Sequence, residues 1–323
     1  MRNIELIEVC SDLGAGTQGA CFGAEALQML AQQDSCNPFQ TISINTCHVN
    51  ASNGYHSSYA KNIEAIYKVC RSIAQEVRSS LLTTHFPILI SGDHSCAAGT
   101  IAGIKMAKPN SRLGVVWIDA HADLHSPYTT PSGNMHGMPL AASINEDNKV
   151  TAKQHIDDQT HSHWKKLKNL GGISPKVLPQ DIVYVSLRDF EAEEALLIKN
   201  HRIKMISTES ARRCGIPSVV NTILKQLEYC TDIYVSFDTD CLDASVSRGT
   251  GLPVDGGLMP YEAERLITLL IGNPKICCLE FTELNPFFDN NSETTAIIYQ
   301  LFKAGIQSLR AEAFAERIAY QSS

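Results

Sequence analysis

No stretch of this chain approaches the roughly 20 apolar residues that a bilayer-spanning helix needs, and the opening MRNIELIEVC has no apolar run of signal-peptide length. Neither a membrane span nor a secretory leader is expected, and a cytoplasmic location is. Also missing is any block of basic residues. Lys and Arg number 27 against 34 Asp and Glu, a formal net charge of −7, and a phosphate backbone demands clustered cations. Nucleic acid and membrane are therefore not expected partners, and a small molecule is. The 11 cysteines are odd in number and scattered through strings such as IYKVC, VSFDTDC and ICCLEF. They form no disulfide framework and read as reduced, small core residues. No Pro/Gly/Ser-rich linker, repeat or low-complexity tract divides the 323 residues, so residues 1–323 are expected to form one domain.

What is present is an alternation of two patterns. Short apolar runs of strand character lie at 4–10, 41–45, 87–91, 113–119, 182–187, 203–207, 232–238 and 275–281. Between most of them the apolar spacing is helical. In 57–82, Ile63, Ile66, Val69, Cys70, Ile73 and Val77 recur at intervals of three and four, the mark of an amphipathic helix. Further helices are expected at 95–107, 191–200, 217–230, 260–272 and 292–306. Strands apolar on both faces that alternate with helices predict a mostly parallel sheet covered by helices, an α/β fold. The polar stretch 145–170, with His161 and His163, reads as a surface excursion.

In such sheets ligands bind beyond the carboxyl ends of the strands, so polar residues just after apolar runs are candidates. Gly14, Gly16 and Gly19 form a GxGxxG string after the first strand. The string lacks the immediate tight turn of a dinucleotide fingerprint, and the second strand ends in Asn45 rather than a ribose-binding acid. It is expected to be a flexible loop bordering the site. WIDAHADLH, at 117–125, places Asp119, His121 and Asp123 at every second position, with His125 continuing the series. Side chains two apart on an extended segment point the same way. Two carboxylates and an imidazole crowded together repel or change protonation unless a cation neutralises them. Two other strands add to the collection: PILISGDHS ends in Asp93 and His94, and IYVSFDTDCLD supplies Asp238, Asp240 and Asp243. His94, Asp119, His121, Asp123, Asp238 and Asp240 are too many and too rich in oxygen for one tetrahedral zinc. They suit two hard divalent ions, and a water bridging such a pair can be held as hydroxide near neutral pH. Metal-assisted hydrolysis is the reaction class that follows.

Four collinear blocks carry a resemblance: FPILISGDHSCAAGTIAG, DAHADLHSPYTTPSGNMHGMPLAAS, SFDTDCLDASVSRGTGLPVDGGL and LEFTELNPFFDNNSETT. The chain resembles the ureohydrolases, the arginase and agmatinase family, and SGNMHGMPLAAS is closest to the arginase branch. The resemblance implies a single-domain, three-layer, doubly wound sheet of about eight strands and a pair of manganese ions. It makes Asp119 and Asp238 bridging carboxylates, with His94 and Asp123 completing one ion and His121 and Asp240 the other. It pairs Glu283 with the substrate guanidinium, where a fork of donors meets a carboxylate. His136 becomes a proton shuttle to the site or to the leaving amine. His136, Glu283 and Asp123 are thus the candidate catalytic residues. Ser132 and Asn134 would receive an α-carboxylate, and His125 and Glu191 complete the substrate subsite. The activity implied is hydrolysis of L-arginine to ornithine and urea; an agmatinase-like or other guanidino-acid hydrolase, or a non-catalytic binding protein, is the alternative. A homo-oligomer, trimer or hexamer, is implied as well.

The chain departs from the family pattern at several positions. His125 stands where arginases have an asparagine, Glu191 where an aspartate meets the α-amino group, and Leu252 where a threonine supports the guanidinium-binding acid. Ser91 replaces a glycine, and Ala244 a proline. The metal shell is intact and the substrate shell is altered.

Overall fold

A strand that is apolar on both sides has to be covered on both sides, and the chain achieves this with one sheet between two helical layers. The structure, a computed structural model, describes residues 3–47 and 55–321, with side chains to residue 311. The strands are β1 Asn3–Val9, β2 Ser43–Cys47, β3 His85–Ser91, β4 Leu113–Ile118, β5 Ile182–Val185, β6 Lys204–Ile206, β7 Asp232–Asp238 and β8 Ile276–Thr282. They lie in the order β2-β1-β3-β8-β7-β4-β5-β6. Every pairing between them is parallel. Period-two alternation sorts their side chains: Val116 and Ile118 of β4 and Ile233, Val235 and Phe237 of β7 enter the core on one face. Val115, Trp117 and Tyr234 enter the core on the other. This is the doubly wound fold expected, with all eight strands at the predicted places.

The helices are α1 Gly23–Ala31, α2 Ile63–Leu82, α3 Ala97–Ala107, α4 Pro139–Ile144, α5 Asp158–Lys168, α6 Ala192–His201, α7 Thr208–Cys214, α8 Ile216–Gln226, α9 Pro260–Ile271 and α10 Glu293–Gln321. Residues of α1, α8, α9 and α10 cover one face of the sheet, and α2, α3 and α6 cover the other. Helix α2 starts six residues later than its periodicity predicts, because Asn62 takes a left-handed φ of 56°. The stretch 145–170 is corrected more substantially. It is no mere surface excursion: Asp157 caps α5 by accepting the Thr160 N–H, and one face of the helix buries Trp164 and Leu167 in a cluster with Ile63 and Ile66 of α2. Its polar composition reflects the outer face, where His161 is exposed. His163 is buried and stacked on Tyr55 at 5.4 Å between ring centroids.

The strand order places the site. The chain lays β1 to β3 on one side, crosses to β4 and runs outward to β6, then fills the gap with β7 and β8. The carboxyl ends of β3, β8, β7 and β4 therefore lie side by side at the place where the winding direction reverses.

Candidate metal centre

Four adjacent strands end in charge. Gly92 and Asp93 follow β3 and lead into His94; Asp119 follows β4; Asp238 closes β7; Glu283 follows β8. His94 Nδ1 lies 3.0 Å from Asp119 Oδ2, 3.1 Å from Asp123 Oδ2 and 3.0 Å from Asp238 Oδ2. His121 Nδ1 lies 3.0 Å from Asp240 Oδ2 and 3.7 Å from Asp119 Oδ1. His94, Asp119 and Asp123 form one group spaced to hold a cation; Asp119, His121 and Asp240 form another, and Asp119 belongs to both. Asp123 reaches the first group from a left-handed φ of 51°, a conformation a non-glycine residue adopts only when its surroundings impose it.

The contacts around His94 are close but are not aligned as hydrogen bonds. His94 Nδ1 and Asp119 Oδ2 are buried with no hydrogen-bond partner. One ring nitrogen has at most one proton to offer three oxygens, so the donor atoms face a common point that a cation would satisfy. The ring is fixed from behind, with Nε2 against Ser236 Oγ at 2.8 Å and its plane stacked 4.0 Å from Trp117. Burial, with the neighbouring carboxylates adding to it, pushes the pKa of Asp238 and Asp123 up. Burial also raises Asp240, to about 6. Burial works against charge on His94 and His121, but the surrounding carboxylates outweigh it and hold both imidazoles above their usual range. Protons thus collect where metal ions would otherwise neutralise the cluster.

Glu283 stands beside this group, and it is buried rather than a surface residue. Its Oε1 accepts the His94 backbone N–H at 2.9 Å and lies 3.1 Å from His136 Nδ1. Burial opposes charge on His136, but the Glu283 carboxylate prevails and lifts its pKa to about 9. Asp93, noted at the strand end but not among the selected residues, is buried next to Glu283; its carboxyl accepts the Gly14 N–H at 2.9 Å and rises to about 6, chiefly by burial.

One pocket joins these residues to the rest of the sequence-predicted set. Its lining includes His125, Ser132, Asn134 and Glu191 together with the metal-binding candidates, His136 and Glu283. His125 is buried, with Nδ1 3.1 Å from Thr129 Oγ1 and Nε2 3.0 Å from Glu191 Oε2. The His125 contact holds the Glu191 carboxyl down to about 2, whereas burial drives neighbouring Glu194 up to about 8. Glu191 is the N-cap of α6 and Glu194 its reciprocal capping-box partner. Sequence reasoning missed Glu194 and Asp189 in the pocket wall. Glu194 carries a signal in hindsight, the acidic residue three positions after a helix cap; Asp189 carries none. Leu252 is half exposed at the rim.

Three other candidates resolve differently. Asp243 stays out of the pocket and binds the backbone N–H groups of Ser245, Gly256 and Gly257 at 2.8–3.0 Å. The glycine loop does border the site: the Gly14 carbonyl accepts the His136 N–H at 3.1 Å, and a Cβ on Gly14 would strike Asp93 and Ser95. These glycines permit close approach of the backbone. Ser91 donates its hydroxyl to Glu280, whose other oxygen accepts Tyr234 at 2.7 Å, so the serine helps satisfy a fully buried carboxylate.

Comparison with known proteins gives the same direction throughout. A family model described as Arginase family matches residues 2–304. The arginase of Bacillus subtilis (strain 168) is 30% identical over 305 residues, covering 94% of this chain and 97% of the relative. That of Bacillus caldovelox is 31% identical over 307 residues, covering 93% and 97%. The solved native structure of Bacillus caldovelox arginase has a TM-score of 0.82 at 30% identity, covering 94% of this chain and 98% of that one. A formimidoylglutamase structure from Bacillus subtilis, at 18% identity and TM-score 0.74, shares the fold. With a match that runs over nearly its whole length, the chain belongs to the arginase family of hydrolases.

Proposed function

We propose that the protein is a binuclear manganese hydrolase that cleaves the guanidinium group of L-arginine to give ornithine and urea. The observation that carries this reading is the set of unpaired, converging donors at the pocket floor with an acid and a histidine beside it. In this reading His94, Asp119, His121, Asp123, Asp238 and Asp240 would together hold the two ions, with Asp119 common to both groups of donors. Oxygen-rich ligands with two imidazoles suit manganese. The ions supply Lewis acidity and a water activated for attack on carbon.

The chain's own groups do the rest. The buried Glu283 carboxylate pairs with the planar guanidinium and presents its carbon to the floor of the pocket. Hydrolysis adds water across the bond between that carbon and the chain nitrogen, and the departing nitrogen needs a proton. His136, protonated beside Glu283, supplies it. Ser132 and Asn134 receive the α-carboxylate, and Glu191 faces the α-amino group. We read residues 1–323 as one catalytic domain, and a trimer or hexamer and a cytoplasmic location as what the resemblance supports.

One observation favours a second reading. Both ring nitrogens of His125 are engaged, by Thr129 and Glu191, where an amino-acid head would need free partners. An agmatinase-like or other guanidino hydrolase would tolerate that closure. A substrate panel with manganese decides: faster urea release from arginine than from agmatine is expected. Faster release from agmatine establishes the second reading, and no release from any guanidino compound establishes a binding protein.

A further inference from the structure

Asn134, in the pocket lining, is backed by a lysine that does not line the pocket itself. Lys61 Nζ donates to Asn134 Oδ1 at 2.9 Å. Among the described residues no carboxylate lies within ion-pairing distance of that ammonium group, although Lys61 is half buried. An ammonium can only donate. The atom facing it must therefore be the amide oxygen, which turns Asn134 Nδ2 the other way. There, Gly16 leaves room, since a Cβ at that position would come 2.7 Å from Nδ2.

The backbone makes the arrangement rigid. The Lys61 N–H donates to the Gly133 carbonyl at 2.9 Å. Gly133 has a φ of 75°, and a Cβ there would strike the Ser58 carbonyl, so the two segments can meet only at a glycine. Asn134 N–H is in turn held by Ser132 Oγ at 3.1 Å. The same pocket also has acidic lining: Asp189 and Glu191 are exposed and Glu194 is buried.

We propose that Lys61 is a specificity-determining positioning residue: it orients Asn134 and supplies the positive charge that makes this wall a carboxylate site. Lys61 acts on the carboxylate contact already assigned to Ser132 and Asn134, and it acts through the Asn134 amide rather than by touching the substrate. A guanidino amine without the carboxylate gains nothing from Lys61. This rests on the guanidino-hydrolase reading above and deepens it.

The test compares the manganese-loaded wild type with Lys61→Met and Lys61→Arg. Arginine and agmatine are the substrates, and binding of ornithine and of 1,4-diaminobutane is measured by calorimetry. Lys61→Met is expected to raise KM for arginine and Kd for ornithine about five- to ten-fold, somewhat less than a direct hydrogen bond to a charged group is worth, because the ammonium acts through Asn134. The kcat for arginine and the constants for agmatine and diaminobutane should hold within about two-fold, a floor set by the neutral contacts that remain. Lys61→Arg should recover most of the loss. Equal losses for the acid and the amine would mean that Lys61 merely supports the fold, and unchanged ornithine binding would remove it from recognition; either overturns the proposal while the hydrolase reading stands. Absence of urea release from both substrates by the wild type overturns the hydrolase reading and this proposal with it.

Discussion

His136 illustrates how a residue that looks ordinary in isolation acquires a distinct state from its surroundings. It is half-buried against Glu283, whose carboxylate outweighs the opposing effect of burial and lifts the imidazole pKa to about 9. A histidine so placed can hand a proton to a departing amine near neutrality. His136→Asn is expected to lower turnover by about 10²- to 10⁴-fold, the usual value of general acid catalysis, while manganese content by metal analysis stays that of the wild type. Loss of metal in that variant would make His136 a ligand. The pair His125 and Glu191 makes a different point. The histidine is larger than the family's asparagine and the glutamate longer than its aspartate, and the two bind each other at 3.0 Å where the head of an amino acid would sit. A misplacement of about 1 Å can cost two orders of magnitude in rate. His125→Asn combined with Glu191→Asp should therefore lower KM for arginine several-fold and leave agmatine turnover nearly unchanged, as steady-state urea release would show.

At the scale of elements, the instructive case is α5. Its composition is polar enough to pass for a loop, yet Trp164 is fully buried between α2 and α4, with Nε1 donating to Asp147 Oδ1 at 2.8 Å. Replacing a buried aromatic residue by alanine typically costs about 3–5 kcal/mol. Trp164→Ala should show that loss in urea unfolding, with an unchanged slope; a loss below about 1 kcal/mol would mean that α5 is peripheral to the core. The elements that carry the site were far more legible. Each candidate ligand lies at or just after the end of an apolar run, which is what marked it; the extended period of two read along WIDAHAD does not persist, since β4 ends at Ile118 and Asp123 is turned toward His94 by its left-handed φ. Asp189 was not legible, because nothing in SLRDFEAEE distinguishes a pocket-wall aspartate from a surface one.

For the whole molecule, the cluster of buried carboxylates and imidazoles is a cost of folding that cations would relieve. Anything that binds the folded chain and not the unfolded one stabilises it by about 2.7 kcal/mol at a concentration one hundred times its dissociation constant. Stripping metal with a chelator should therefore lower Tm by about 5 °C or more, and adding manganese should restore it. Asp238→Ala, which removes a carboxylate facing His94, should bind substantially less manganese, lose urea release and show little of that thermal shift. Full occupancy and normal turnover in this variant would refute the assignment of Asp238 to the metal centre.

The alternation of strand and helix, the placement of all eight strands and the acids and histidines that gather at the candidate metal centre could be read along the chain, because they follow from local periodicity and from what a strand end exposes. That β3, β4, β7 and β8 lie side by side, that His125 spends both ring nitrogens on Thr129 and Glu191, and that Lys61 stands behind Asn134 came from the folded chain. Lys61 and Asn134 are 73 residues apart in the chain. Contacts of that separation are set by how helices pack on the sheet, and no spacing along the chain encodes them.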